Sequence, residues 1–328
     1  MLKKRKKWNF VPLKSPQVFL MIKIEKRKGL RLMSQKKICR RANLIGYILI
    51  APWLTGILCF QLWPIIHSFL MSFTDYNLMN QPSFIGRANY SKMFQDDIFY
   101  QAVKVTFKYV FIAVPAKIVF ALCIALILNM KIRGIGIYRT VYYIPSILGS
   151  SIAVAILWKA LFVKDGVINS LLAQIGIQGA SWLGNPKYTL FTISLLTVWQ
   201  FGSSMVVFLA GLKQIPSSLY EAASVDGAGR MDKFIHITIP GIMPMMSFNI
   251  LMQTINAFQM FAAPYTIFNG KGGPLNSSML YVIYLYQHAF KYFNVGYSSA
   301  LSWALLIMIA GTALALHFLE KRFLNFDD

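Results

Sequence analysis

The sequence predicts an all-α membrane protein with six transmembrane helices. Three observations predict it. Of 328 residues, 56% are hydrophobic and 13% charged, against about 25% charged in a soluble domain. Six apolar runs reach the roughly 20 residues that a helix needs to cross a bilayer core of about 30 Å. Apolar residues cover every side of each run without strict alternation, which favours helices over the strands of a membrane barrel.

The elements follow in order. Residues 1–43 form a basic tail with 15 Lys and Arg and one acid, Glu25, and hold most of the net charge of +22. Beside a membrane span such a tail is attracted to anionic lipid headgroups. It carries no RNP or zinc motif, so nucleic acid is not expected as a partner. Met33 opens a second plausible start. The apolar run behind the tail is too long for the core of a cleavable signal. The membrane domain is expected over 44–319, with spans at 44–73, 101–129, 141–163, 187–212, 241–268 and 296–319, and a short C-terminus at 320–328. Of the 33 Lys and Arg, 23 lie on the side of the tail, the loop 213–240 and the C-terminus, while five lie in the opposite loops. Basic loops stay in the cytoplasm, so both termini and the loop 213–240 are expected there.

Cys39, Cys59 and Cys123 are far apart, and His67, His236, His288 and His317 are scattered. Neither a disulfide framework nor a metal site is expected. HExxH and GxSxG are absent, so no catalytic residues are expected and an intramembrane enzyme is disfavoured.

Polar groups inside a span are costly and face a cavity or a neighbouring helix. In the fifth span Asn249, Gln253 and Asn256 recur at i, i+4 and i+7. At 100° per residue they fall within about 60° of one another, one stripe. In the fourth span Gln200 and Ser203 share a face, with Trp199 beside them. Amides and hydroxyls both donate and accept, which suits sugar hydroxyls, and an aromatic ring stacks on a sugar's apolar face. The same amides would equally serve to pair helices. Lys117, in the middle of the second span, calls for a partner charge, a wet cavity, an anionic substrate, or a stem long enough to reach water. The outer loop turns at Gly272, Gly273 and Pro274, before an interfacial or re-entrant helix over 279–290.

The loop 213–240 reads as helix, turn, helix. Ser218 and Glu221 have capping-box spacing. Asp226-Gly227 ends the first helix, because glycine takes positive φ freely. A second helix is expected from about 230 to 236, and Pro240 and Pro244 suit first helical turns. A well-capped linker and a docking knob explain this segment equally well on physical grounds.

The stretch "EAASVDGAGRMDKFIHITIP" resembles the EAA loop of permease subunits of bacterial ABC importers. Glu221, Ala222, Ala223, Gly227, Ile237 and Pro240 occupy its positions, and Ile239 replaces a leucine. "YRTVYYIPSILGSSIAVAILWKALF", "LAGLKQIPSSLYEAASVDGAG" and "GGPLNSSMLYVIYLYQHAF" are similar to the carbohydrate-uptake, maltose-permease-like branch, from about residue 44 to the C-terminus. The resemblance implies a type I (MetI-like) permease fold in the bacterial cell membrane. It implies a second homologous permease subunit, in a heterodimer, two ABC ATPase subunits docked on the loop, and an extracellular solute-binding protein facing the outer loop. ATP and Mg would be used by the ATPases, with no cofactor in this subunit. The chain agrees on that division: a phosphate-binding loop needs GxxxxGK[ST], and the sole Gly-Lys pair, Gly270-Lys271, is followed by Gly272. The substrate would be a mono- or oligosaccharide. The alternatives are glycerol-3-phosphate or an acidic sugar on the same fold. A cavity for an anion calls for basic residues, and the fourth and fifth spans have none from Leu190 to Phe268 outside the cytoplasmic loop. A free-standing carrier would leave the EAA pattern unexplained.

Overall fold

The computed structural model describes residues 46–130, 134–149 and 151–323. The tail 1–43, Met33, Cys39, Lys131, Arg133 and residues 324–328 lie outside the described residues, as do the expectations attached to them. Among the described residues there is no strand, only an isolated bridge between Thr74 and Phe84.

Helix α1 runs Gly46–Met71, with a π-helical turn at Leu58–Leu62. The chain divides into two compact units after His67. In the first unit α1 is apolar all round and none of its residues is buried, the pattern of a helix solvated by something other than water.

The second unit is built around α3, Asp97–Leu128. A short α2, Ala88–Met93, precedes it. Asp96 caps α3, its side chain accepting from the Ile98 N–H at 2.8 Å. Ala102, Ala113, Ala121 and Ala125 of α3 are fully buried. Small side chains let helices approach closely where apolar burial gives no drive between them. Helix α3 therefore packs against α7, Pro186–Trp199, α8, Gly202–Leu212, and α11, Met243–Phe258. Tyr109 fills the seam and bonds Thr197 at 2.6 Å.

The third span is not one helix. It is α4, Ile135–Leu148, and α5, Ile152–Phe162, with α6, Val167–Gln174, following. The two parts of the third span are bent by 97°. Pro145 removes a backbone donor near the end of α4, and Ser151 starts α5 afresh, accepting from the Ala153 N–H. The fourth span is likewise broken, α7 and α8 meeting at 46°. The fifth begins further back than expected. The second loop helix runs on as α10, Arg230–Gly241, and turns 65° at Ile242 into α11. Pro244 falls in the first turn of α11, where a missing N–H costs little, whereas Pro240 lies in the last turn of α10, just before the bend. After α12, Ala262–Ile267, comes helix α13, Tyr281–Tyr286, extended by a π turn to Lys291. The last helix, α14, is Val295–Phe323. By length and composition three helices can cross a membrane singly, and six spans result if each bent pair is one.

Candidate functional site: a polar cavity and a helical knuckle

The breaks in the third and fourth spans hold each other. Helix ends leave carbonyls and N–H groups unpaired, and inside a membrane domain these need protein partners. Gln200 Nε2 donates to the Gly149 carbonyl at 2.8 Å. Ser146 Oγ donates to the Gln200 carbonyl at 3.1 Å and accepts from the Ser203 N–H at 3.0 Å. A Cβ on Gly149 would collide with the Gln200 side chain, so glycine is what admits the amide.

This junction forms one wall of a cavity of about 160 Å³, lined by Tyr109, Lys117, Gln200, Ser203, Gln253 and Asn256 among others. Four of the six residues expected along a substrate pathway thus converge. The other two are elsewhere. Asn249 is buried and its amide donates to the Ser204 carbonyl at 3.4 Å, a helix-to-helix pair. Trp199 is half-exposed and stacks near Trp158, with ring centroids 6.2 Å apart. Lys117, on α3, joins the cavity instead. It is 6% exposed. Its signal in the sequence was the lysine's position in mid-span; helical geometry within one span cannot say which neighbours it meets. The objection that the fourth and fifth spans lack a base loses its force, because the second span supplies one.

The loop 213–240 forms a separate feature. Helix α9 is Ser217–Val225. Its N-cap is Pro216, in extended backbone with no side-chain cap bond. The expected Ser218–Glu221 capping box is therefore not formed: Ser218 is already inside the first turn, where its hydroxyl cannot reach the free N–H groups. The C-terminus ends as expected. Gly227 has φ +80°, the Ala228 N–H reaches the Ala223 carbonyl at 2.8 Å and the Gly227 N–H that of Ser224 at 3.3 Å, a complete Schellman motif. The rear of α9 is tied to α10 by Tyr220 Oη to Thr238 Oγ1 at 2.9 Å and Lys233 Nζ to Ser224 Oγ at 2.7 Å. The front is open: Leu219, Glu221, Ala222, Val225 and Asp226 are exposed, with Met231 and Ile235 of α10. Ala223, Ile237 and Pro240 are half-buried.

In the loop after α12 Gly273 has φ +72° and the Ser278 N–H bonds the Gly272 carbonyl at 2.8 Å, the tight turn the sequence predicts before Pro274. Gly272 and Gly273 line a recess of about 440 Å³ with Asp96, Lys271, Tyr284 and His288. Tyr284 Oη donates to Asp96 at 2.6 Å and meets Tyr297 Oη at 3.0 Å. Burial, and then the bond to Asp96, push the Tyr284 hydroxyl well above the ordinary phenol range. Burial brings His288 down to about 4, against a partly offsetting pull from Asp96.

Residues 109–324 match the family described as binding-protein-dependent transport system inner membrane component. The chain is similar to the probable ABC transporter permease protein YesP of Bacillus subtilis (strain 168), at 48% identity over 91% of this chain and 97% of that protein. It is similar to the lactose transport system permease protein LacF of Rhizobium radiobacter, at 33% identity over 84% and 94%. Among solved structures it resembles in fold a chain of a bacterial alginate ABC transporter in complex with alginate pentasaccharide-bound periplasmic protein, with TM-score 0.74 and 20% identity over 87% of this chain and 96% of that one.

Proposed function

The chain belongs to the binding-protein-dependent transport system inner membrane component family, and from that premise we propose that it is the permease subunit of an ABC importer for a carbohydrate delivered by an extracellular solute-binding protein. The observation that carries the carbohydrate reading is the cavity. Gln200, Ser203, Gln253 and Asn256 bring three amides and a hydroxyl together at the junction of broken spans. Such groups match sugar hydroxyls in both donor and acceptor sense, and broken helices at mid-membrane are where transporters hold substrates. Its volume of about 160 Å³ is below the roughly 300–1,000 Å³ of a complete ligand pocket. One chain therefore supplies one wall, and a second, homologous permease subunit supplies the other. The relatives support the class, one of them being a lactose transport system permease protein.

In this reading the exposed face of α9 docks on one of two cytoplasmic ATPase subunits, which use ATP and Mg; this subunit has no cofactor of its own. The protein sits in the bacterial cell membrane with both termini in the cytoplasm. ATPase closure pushes α9, whose ties to α10 carry the motion through the bend at Ile242 into α11, the helix that bears Gln253 and Asn256. The outer loop at Gly272, Gly273 and Pro274 faces the binding protein.

The test is sugar uptake by the assembled complex. Each cavity amide that meets a hydroxyl contributes about 0.5–1.5 kcal/mol. Gln253→Ala raises KM about threefold to tenfold, and the double change Gln200→Ala, Gln253→Ala abolishes uptake while assembly and basal ATPase activity persist. Normal uptake by the double variant rules this cavity out as the pathway.

A further inference from the structure

The cavity contains one feature that neutral sugar does not use. Lys117 is buried to 6% exposure on α3 and lines the cavity with Gln200, Ser203, Gln253 and Asn256. Among the described residues nothing forms a hydrogen bond or an ion pair with it, and no carboxylate lines the cavity. A charge taken out of water without a partner is strongly unfavourable. The faces of α3 beside it pack against α7, α8 and α11. Ionisable groups held inside a membrane domain in this way mark the path of a substrate or ion.

We infer that the transported carbohydrate is acidic: an oligosaccharide bearing a carboxylate, as a uronic acid does, whose charge is met by Lys117 while the surrounding amides take its hydroxyls. The charge count selects a carboxylate. One ammonium balances one negative charge, and the other groups that this chain brings to the cavity are neutral, so a single carboxylate is what this wall pairs with. Lysine suits a substrate that must pass on: a point charge on a flexible stem holds an anion without the two-point grip of arginine. The inference rests on the proposed function, since it names the substrate class of that same cavity.

The experiment uses the whole complex, with its second permease, ATPases and cognate binding protein, in vesicles. The probes are a disaccharide carrying one uronic acid and the same disaccharide with that carboxyl methyl-esterified. The wild-type complex is expected to take up the acid in preference to the ester. Lys117→Met is expected to lower uptake of the acid by about tenfold to a hundredfold and that of the ester far less, and Lys117→Arg to keep most of the acid uptake. ATP-driven uptake of the ester but not the acid by the wild type overturns the inference and leaves the proposed function standing. Equal loss of both sugars in Lys117→Met, with the complex still assembled, makes Lys117 a counter-charge for a neighbouring subunit and overturns it too. Uptake of neither sugar, with phosphate-bearing or non-sugar substrates carried instead, removes the proposed function itself.

Discussion

At the scale of single residues, space separates glycines that look alike in the sequence. A Cβ on Gly202 would meet the Tyr142 carbonyl at 2.7 Å, Ser146 Oγ at 2.8 Å and Tyr143 Cα at 2.9 Å. Two of those three atoms are backbone and cannot step aside. Gly311, on α14, has nothing within 4 Å. Gly202→Ala is therefore expected to destabilise the protein by about 1–3 kcal/mol, the usual cost of overpacking, and Gly311→Ala to stay within about 0.5 kcal/mol of wild type; thermal unfolding of the purified complex compares them. The same scale explains what was legible in the candidate site. The residue types and the helical stripe pointed to Gln253 and Asn256, because 100° spacing is a local property. Spacing could not separate Asn249, whose amide is used on the Ser204 carbonyl, nor bring Lys117 into the group from another span. Those are facts of packing between helices.

At the scale of elements, the long apolar runs were readable and their breaks were not. Hydropathy reports the solvent around a helix, and a broken span is as apolar as a straight one. What permits the breaks is tertiary: Gln200 serves the Gly149 carbonyl, and Ser146 serves Gln200 and Ser203. The Asp226-Gly227 stop was readable because the Schellman motif is local. The capping box failed because the helix starts at Ser217, two residues before the Leu219 start that a Ser218 cap requires. Gly227 offers a clean test of α9. Its Cβ would meet nothing within 4 Å, yet φ is +80°, and a side chain there costs about 1–2 kcal/mol. Gly227→Ala is expected to lower sugar-stimulated ATPase activity more than it lowers the yield of assembled complex; equal activity per complex speaks against α9 as the coupling element. The outer element α13 carries a pH dependence. His288 is held near 4 by burial, against an ordinary 6.5, and its ring packs on Tyr284, Tyr292 and Tyr297. The folded segment thus keeps the neutral ring, and the opened segment binds the proton first. Stability of this segment falls as pH drops from about 6.5 to about 4 and is constant above that window. Hydrogen exchange over residues 281–297 should quicken beyond its intrinsic rate change on going from pH 7 to pH 5, and His288→Phe, which keeps a ring and removes the titration, should flatten the response.

At the scale of the whole molecule, direction matters most, because an importer's knuckle must face the ATP. The charge bias of 23 Lys and Arg against five sets that direction by the asymmetry of insertion, and most of it lies in the tail. Without the tail the bias is eight against five, so orientation is the expectation most worth measuring directly. Two exposed positions lie in loops of opposite expected side: Met79, 85% exposed, follows α1, and Val225, 88% exposed, ends α9. In a background where Cys39, Cys59 and Cys123 are replaced by serine, Met79→Cys should react with a membrane-impermeant maleimide on intact protoplasts. Val225→Cys should react only after the membrane is opened, and lose that reactivity when the ATPase subunits are bound. Labelling of Val225→Cys from outside would invert the molecule, and with it the assignment of α9 to a cytoplasmic motor and of the recess at Gly272 and Gly273 to a binding protein. Protection of Val225→Cys by the ATPases, absent in a complex stripped of them, ties the exposed apolar face of α9 to the one partner that has energy to give.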